Sequence, residues 1–140
     1  MTNEHENTKL VQQAYESMMT GDIESFLKLL DADVEWHMPA MEDVPFAGVR
    51  YGHNGVREFA SLLNASHEVV EFLPAQFIAQ GKIVVVLGRF TMRVRATGRK
   101  IVSDWAHAWT IAAGKVTYFQ EYVDTAAVIR GHAMSLSPAP

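Results

Sequence analysis

The sequence contains no cysteine, which removes disulfide bonds, thiolate nucleophiles and cysteine-ligated zinc or iron–sulfur sites together. It has no long apolar run either. The longest extends only from Ile83 to Leu87, far short of the roughly 20 residues that span a bilayer, so no membrane segment is expected. Positive charge is in deficit: 12 Lys and Arg stand against 16 Asp and Glu, a formal net charge of −4. That balance speaks against nucleic acid, whose phosphates call for a basic field or stripe. Arg89, Arg93, Arg95, Arg99 and Lys100 do cluster, but without interleaved exposed aromatics they read as a solvated face. No pair among His37, His53, His67, His107 and Glu121 has a recognisable ligand spacing, so neither a metal nor a cofactor is expected. The stretch Met1 to Lys9 is polar and carries no apolar h-region; no signal peptide is expected, and the cytoplasm is the expected location.

What is present fits one domain over residues 1–134, followed by a short, small-residue, proline-containing tail over 135–140. A chain of 140 residues buries roughly 70% of its unfolded surface and can hold a core without staples. Leu10, Val11, Ala14, Tyr15 and Met18 recur at helical spacing up to Gly21. Asp22 is a good N-cap for a second helix burying Ile23, Phe26, Leu27 and Leu30. Val34, Trp36 and Met38 alternate with Glu35 and His37 as a short strand stopped by Pro39. The irregular stretch 40–52 reads as a loop over a pocket mouth, and Val56, Phe59, Ala60 and Leu63 predict a third helix.

From Val69 the period changes to two. Strands near Glu68–Ala79, Ile83–Arg95, Lys100–Ile111 and Val116–Val123 are separated by Gln80-Gly81, Thr97-Gly98 and Ala113-Gly114, which predicts an antiparallel meander. Asp124 or Thr125 then caps a short last helix ended by Gly131. Helices followed by a meander give an α+β fold, helices packed on a curved, mainly antiparallel sheet.

Strand alternation assigns the faces. Phe90, Met92 and Val94 point one way, while Arg89, Thr91, Arg93 and Arg95 point the other, outward, because three arginines are costly in a core. In the last hairpin, pairing about Ala113-Gly114 puts facing residues at numbers summing to about 226–228. His107, Trp109, Phe119, Glu121 and Val123 then share the concave face, with His107 opposite or diagonal to Glu121. Asp104, Ala106, Ala108, Tyr118, Gln120 and Tyr122 lie on the outer face, unless a β-bulge brings Asp104 inside. A carboxylate between Phe119 and Val123 is costly unless paired or protonated. Glu121 is thus the leading acid/base candidate, with a structural pairing to His107 as the alternative. Trp36, Met38, Phe59, Phe90, Met92, Trp109, Phe119 and Val123 are expected to line a ligand pocket. Tyr15 either projects its hydroxyl into that pocket or packs helix against sheet.

The run Tyr15-(five residues)-Gly21-Asp22, then Val34-Glu35-Trp36, Gly52-(two)-Gly55-Val56, and Asp104-(two)-His107-Ala108-Trp109 before Gly114-Lys115-Val116 resembles the SnoaL-like branch of the nuclear transport factor two-like superfamily. Ketosteroid isomerase, limonene-epoxide hydrolase and SnoaL-type polyketide cyclases belong to it. The resemblance covers roughly Thr8 to Gly131 and implies a cone-shaped fold around a deep apolar cavity, in a homodimer. Ala106 and Ala108 between Tyr118 and Tyr122 leave the outer sheet face flat enough to serve as the dimer contact.

Carried over position by position, the isomerase's basic aspartate falls on Met38 and its oxyanion tyrosine on Ala14, one residue from Tyr15. Its second oxyanion donor falls on His107. A missing base argues against steroid isomerisation. The epoxide hydrolase's proton-donating carboxylate matches Glu121, but its arginine and second carboxylate have only Arg89 and Thr91 as nearest matches, both on the outer face. SnoaL-type cyclases imply a single acidic residue, a role open to Glu121 or Asp104. Two readings result: a cofactor-free isomerase, cyclase or hydratase acting on a bulky apolar carbonyl or epoxide compound, or a non-catalytic module that binds a hydrophobic ligand or dimerises.

Overall fold

Asp22 marks the first clear boundary in the chain. In the computed structural model, which describes residues 3–134, its carboxylate accepts from Ser25 N at 3.1 Å and separates helix α1 (Glu4–Met19) from α2 (Ile23–Lys28). The tail expected over 135–140 lies outside the described residues. Leu30, expected on the second helix, instead opens strand β1 (Leu30–His37) and is buried there. The loop expected over 40–52 contains a short strand, β2 (Val49–Tyr51), paired antiparallel to Glu35–His37. Three residues are too few to show an alternating pattern, which is why periodicity passes over it. Helix α3 (Gly52–Ser66) also begins before its first apolar residue, Val56.

The meander forms as β3 (His67–Gln80), β4 (Ile83–Val94), β5 (Lys100–Ala112) and β6 (Lys115–Val123), and α4 (Thr125–His132) closes the chain. The sheet order is β2-β1-β6-β5-β4-β3, with β1 parallel to β6 and the other neighbours antiparallel. The β5–β6 turn has positive φ at Ala113 (52°) and Gly114 (75°), the two left-handed positions that a tight two-residue hairpin requires. β3 slips register between Val69 and Glu71 and again between Pro74 and Gln76. Each bulge bends the strand, so the sheet curls around the helices without closing.

Phe90, Met92 and Val94 are buried on the concave face, while Arg89 and Arg95 are exposed and Arg93 is half-buried. Arg93 reaches Glu68 at 3.6 Å. Arg99, part of the same basic cluster, donates to the carbonyls of Arg130 and Ala133 at 3.0 and 2.7 Å and so caps α4. That cap presents Val128 and His132 to the interior, where both are buried. At the centre of the core, Trp36 stacks on Phe119 with ring centroids 3.8 Å apart.

Candidate active site

The β5–β6 register decides what the concave face offers. His107 pairs directly with Glu121 and Trp109 with Phe119, both sums being 228, at the upper end of the expected range. The one slip in this hairpin falls between Thr110 and Ile111, close to the turn. It leaves the face of Asp104 unchanged. Asp104 is exposed opposite Arg89, so the structure places it outside the cavity, and the bulge that would bring it inward does not occur.

From Trp109 a chain of hydrogen bonds runs to the cavity. Trp109 Nε1 donates to the Tyr15 hydroxyl oxygen at 3.0 Å, and that hydroxyl lies 2.7 Å from Nδ1 of His107. Since the oxygen already accepts from Trp109, its own proton is directed at Nδ1, which fixes His107 as the Nε2–H tautomer. Nε2–H then donates to Glu121 Oε1 at 2.9 Å. Burial pushes the Tyr15 hydroxyl far above its ordinary range, with the Trp109 hydrogen bond opposing and the charge of Glu121 reinforcing the shift. Tyr15 is therefore held protonated, as a donor.

Five rings confine the imidazole, one of them Phe72, stacked at 6.4 Å. Trp105 stacks on it at 4.0 Å and Tyr15 lies nearly parallel at 5.8 Å, while Phe119 and Trp109 meet it edge-on at 4.8 and 6.4 Å. Trp105 can lie so close because it packs across Gly88, its partner in β4, where an added Cβ would stand 2.3 Å from the indole.

Beyond Glu121 lies a cavity of about 50 Å³, lined among others by Trp36, Met38, Phe59, Phe90, Met92 and Phe119. His107 and Glu121 form its polar end. Three residues expected on its wall stand elsewhere: Tyr15 and Trp109 lie behind His107, and Val123 sits half-buried at the end of β6 opposite Trp105. Sequence reasoning missed Met18, Met41, Phe46, Leu63, His67, Phe72 and Val128, which also line it. Met18 and Leu63 follow the helical periodicity already noted, but Met41 and Phe46 come from the loop, where no period exists to reveal them. A second, wider groove of about 740 Å³ runs between α1, α2, α3 and the start of β3. Met18, Phe59, Leu63 and His67 line both spaces, a shared wall termed the throat.

Among the described residues, three buried side-chain polar atoms have no hydrogen-bond partner: Trp36 Nε1, His67 Nδ1 and Trp105 Nε1. Trp36 and His67 are lining residues of the cavity. Among the described residues no group of three or more His, Asp or Glu is placed to hold a metal ion, and no helix is long and apolar enough to cross a membrane.

Comparison with known proteins agrees with this architecture. An NTF2-like protein from Burkholderia xenovorans LB400 is 32% identical, with 95% of this chain and 100% of that one covered and a TM-score of 0.87. An NTF2-like protein from Burkholderia pseudomallei K96243 is 28% identical over 91% and 98% of the two chains, with a TM-score of 0.83. TerC, in a crystal structure with polyporic acid, is 29% identical over the same shares, 91% and 98%, with a TM-score of 0.82. Among curated proteins, none matches this sequence. The SnoaL-like domain family matches residues 11–119, and with the α+β cone, the inward-facing His107–Glu121 pair and these relatives in view, the chain belongs to the SnoaL-like family of NTF2-like proteins.

Proposed function

We propose that this chain is a cofactor-free acid/base enzyme of the isomerase, cyclase or hydratase kind, acting on a bulky, mostly apolar carbonyl compound. Glu121 is the proton-transferring group. The observation that carries the reading is a carboxylate, its side chain only 12% exposed, at the end of an apolar cavity and backed by an ordered chain of donors. Oε1 is held by His107, and no hydrogen bond engages Oε2 among the described residues, which leaves that oxygen for the substrate. Glu121 takes a proton from the carbon next to the carbonyl and returns it to another position of the substrate. His107 Nε2–H holds the carboxylate in place, while the Tyr15 donor holds the imidazole in the required tautomer. Removing a proton beside a carbonyl needs a base within hydrogen-bond reach and a dry wall; Trp36, Phe90 and Phe119 supply the wall.

The relative co-crystallised with polyporic acid, an aryl-substituted hydroxyquinone, supports a planar aromatic carbonyl ligand for these ring-lined walls. A cavity of about 50 Å³ holds a few waters, well below the roughly 300 Å³ of small ligand pockets. Binding therefore requires the wall to move. Met18, Met38, Met41 and Met92 line it, and unbranched methionine side chains are suited to such repacking. The second reading, a non-catalytic hydrophobic-ligand or dimerisation module, draws on that same small volume. We further propose that the protein works in the cytoplasm and as a homodimer, its outer sheet face meeting a second copy. Leu73, Leu87, Val102 and Tyr122 are exposed there.

The test needs no known substrate. Exchange of the α-hydrogens of 2-tetralone in deuterated water, followed by NMR, reports proton abstraction directly. The wild-type chain is expected to accelerate exchange, and Glu121→Gln is expected to return it to the buffer rate with the fold intact. Equal rates in wild type and variant refute the role of Glu121; polyporic acid binding without exchange favours the non-catalytic module.

A further inference from the structure

Apart from the Glu121 chain, the interior holds a second polar pair. His67, at the junction of α3 and β3, and His132, in the last turn of α4, are 3% and 6% exposed. Their Nε2 atoms lie 2.6 Å apart. Only one proton fits between two nitrogens at that distance, so one ring donates and the other accepts. Phe46 from the loop packs edge-on against both, at 4.8 and 5.8 Å. Burial holds His67 down to about 4, with His132 and Arg95 adding to the shift, and lowers His132 as well. At neutral pH both rings are therefore uncharged.

The proton count then has a consequence for the other nitrogen of His67. Two neutral rings carry two N–H protons. One sits between the Nε2 atoms, and the second resides on Nδ1 of whichever ring accepts. When His67 accepts, its Nδ1 is an N–H donor; when it donates, its Nδ1 is a bare acceptor. That Nδ1 is buried and has no partner, a condition that native structures reserve for strain, function or an absent bonding group. Of the four throat residues, Met18, Phe59, Leu63 and His67, only His67 is polar.

We infer that His67 is a ligand-anchoring residue, its Nδ1 binding a carbonyl or hydroxyl group of the substrate at the throat while the reactive end meets Glu121. This rests on the reading of the cavity as a small-molecule site and adds a requirement to it: the ligand carries polar groups at both ends of an apolar body. On β4, Val94, the partner of His67, lies eight residues from Val86, the partner of His107. The two polar groups thus belong to opposite ends of the concave face. Either neutral arrangement of the pair is open to His67, which then serves a hydroxyl or a carbonyl. Passing from one to the other moves two protons, the shared one to the other Nε2 and the second from one Nδ1 to the other by exchange with water or ligand.

The experiment is a titration of the ¹⁵N-histidine-labelled protein with polyporic acid, followed by the ring-nitrogen resonances. Affinities of wild type and His67→Phe are measured in parallel by tryptophan fluorescence. Phenylalanine keeps a ring against Phe46 and removes Nδ1. The inference expects the His67 Nδ1 resonance to move on binding, and His67→Phe to bind about fivefold to tenfold more weakly, the worth of one net hydrogen bond. The resonance measurement uses the unmutated protein, so it holds even if His67→Phe folds poorly. Binding by wild type with an unmoved Nδ1 resonance overturns the anchoring role and leaves the pocket reading standing. No binding by wild type overturns both together.

Discussion

Tyr15→Phe removes a single oxygen atom, and the structure specifies what that atom holds. It accepts from Trp109 Nε1 at 3.0 Å and meets His107 Nδ1 at 2.7 Å. Trp109 and His107 are 0% and 3% exposed, so bulk water cannot replace the lost partner without opening the core. Each buried group left unpaired costs about 1–3 kcal/mol. Since phenylalanine fills the same apolar space and lowers the desolvation cost of the hydroxyl, the net loss is set at about 2–4 kcal/mol. For a domain of this size that corresponds to a fall in Tm of roughly 10 °C. Urea unfolding monitored by tryptophan fluorescence measures it, with Trp109→Phe and the double variant completing a mutant cycle. The two single changes remove the same hydrogen bond, so their effects should be less than additive by at least about 0.5 kcal/mol. The same variant leaves Nδ1 of His107 without its donor, so α-hydrogen exchange should slow even in the folded fraction. A Tyr15→Phe protein within about 0.5 kcal/mol of wild type, exchanging at the wild-type rate, refutes the hydrogen-bonded chain as described.

Gly88→Ala places a methyl group 2.3 Å from Trp105 and 2.4 Å from the backbone carbonyl oxygen of Leu73, so it should cost about 1–3 kcal/mol by overpacking. Trp105→Phe in the same chain should recover part of that loss, which differential scanning calorimetry of the three variants checks. Acidification should destabilise the protein as the pH falls from about 6.5 to about 4, because the unfolded chain protonates this histidine near its ordinary value while folded His67 waits until about 4. The contribution is about 3 kcal/mol for His67, is fully present above the window, and should be flattened in His67→Phe unfolding curves across pH. Sedimentation at micromolar concentration should show a dimer. Val102→Glu, which puts charge on an exposed position of the outer face, should return it to the 15.6 kDa monomer; a monomeric wild type counts against that interface.

How much of this lies in the sequence depends on how local the determinant is. Turn chemistry and alternation are local, so Ala113-Gly114 marks the β5–β6 hairpin and its register to within a residue; the slip between Thr110 and Ile111 then sets the pairing in which His107 meets Glu121. The same alternation puts Phe90 and Met92 inside and Arg89 outside. The fold class followed for the same reason, since a change of period from helical to two at Val69 marks where helices stop and sheet begins. What the sequence leaves open is anything joined by long chain separation. His67 and His132 are 65 residues apart, and neither stands in a pattern with the other; only the docking of α4, held at its end by Thr97 and Arg99, brings their Nε2 atoms together. Tyr15 reaches His107 across 92 residues, and whether it bonds or merely packs was settled by how α1 lies across β3 and β4. The place of His67 at the throat, and of Met41 and Phe46 in the cavity wall, likewise depends on the curl that two bulges give β3 and on a loop without periodicity, which are properties of packing in three dimensions and leave no regular trace along the chain.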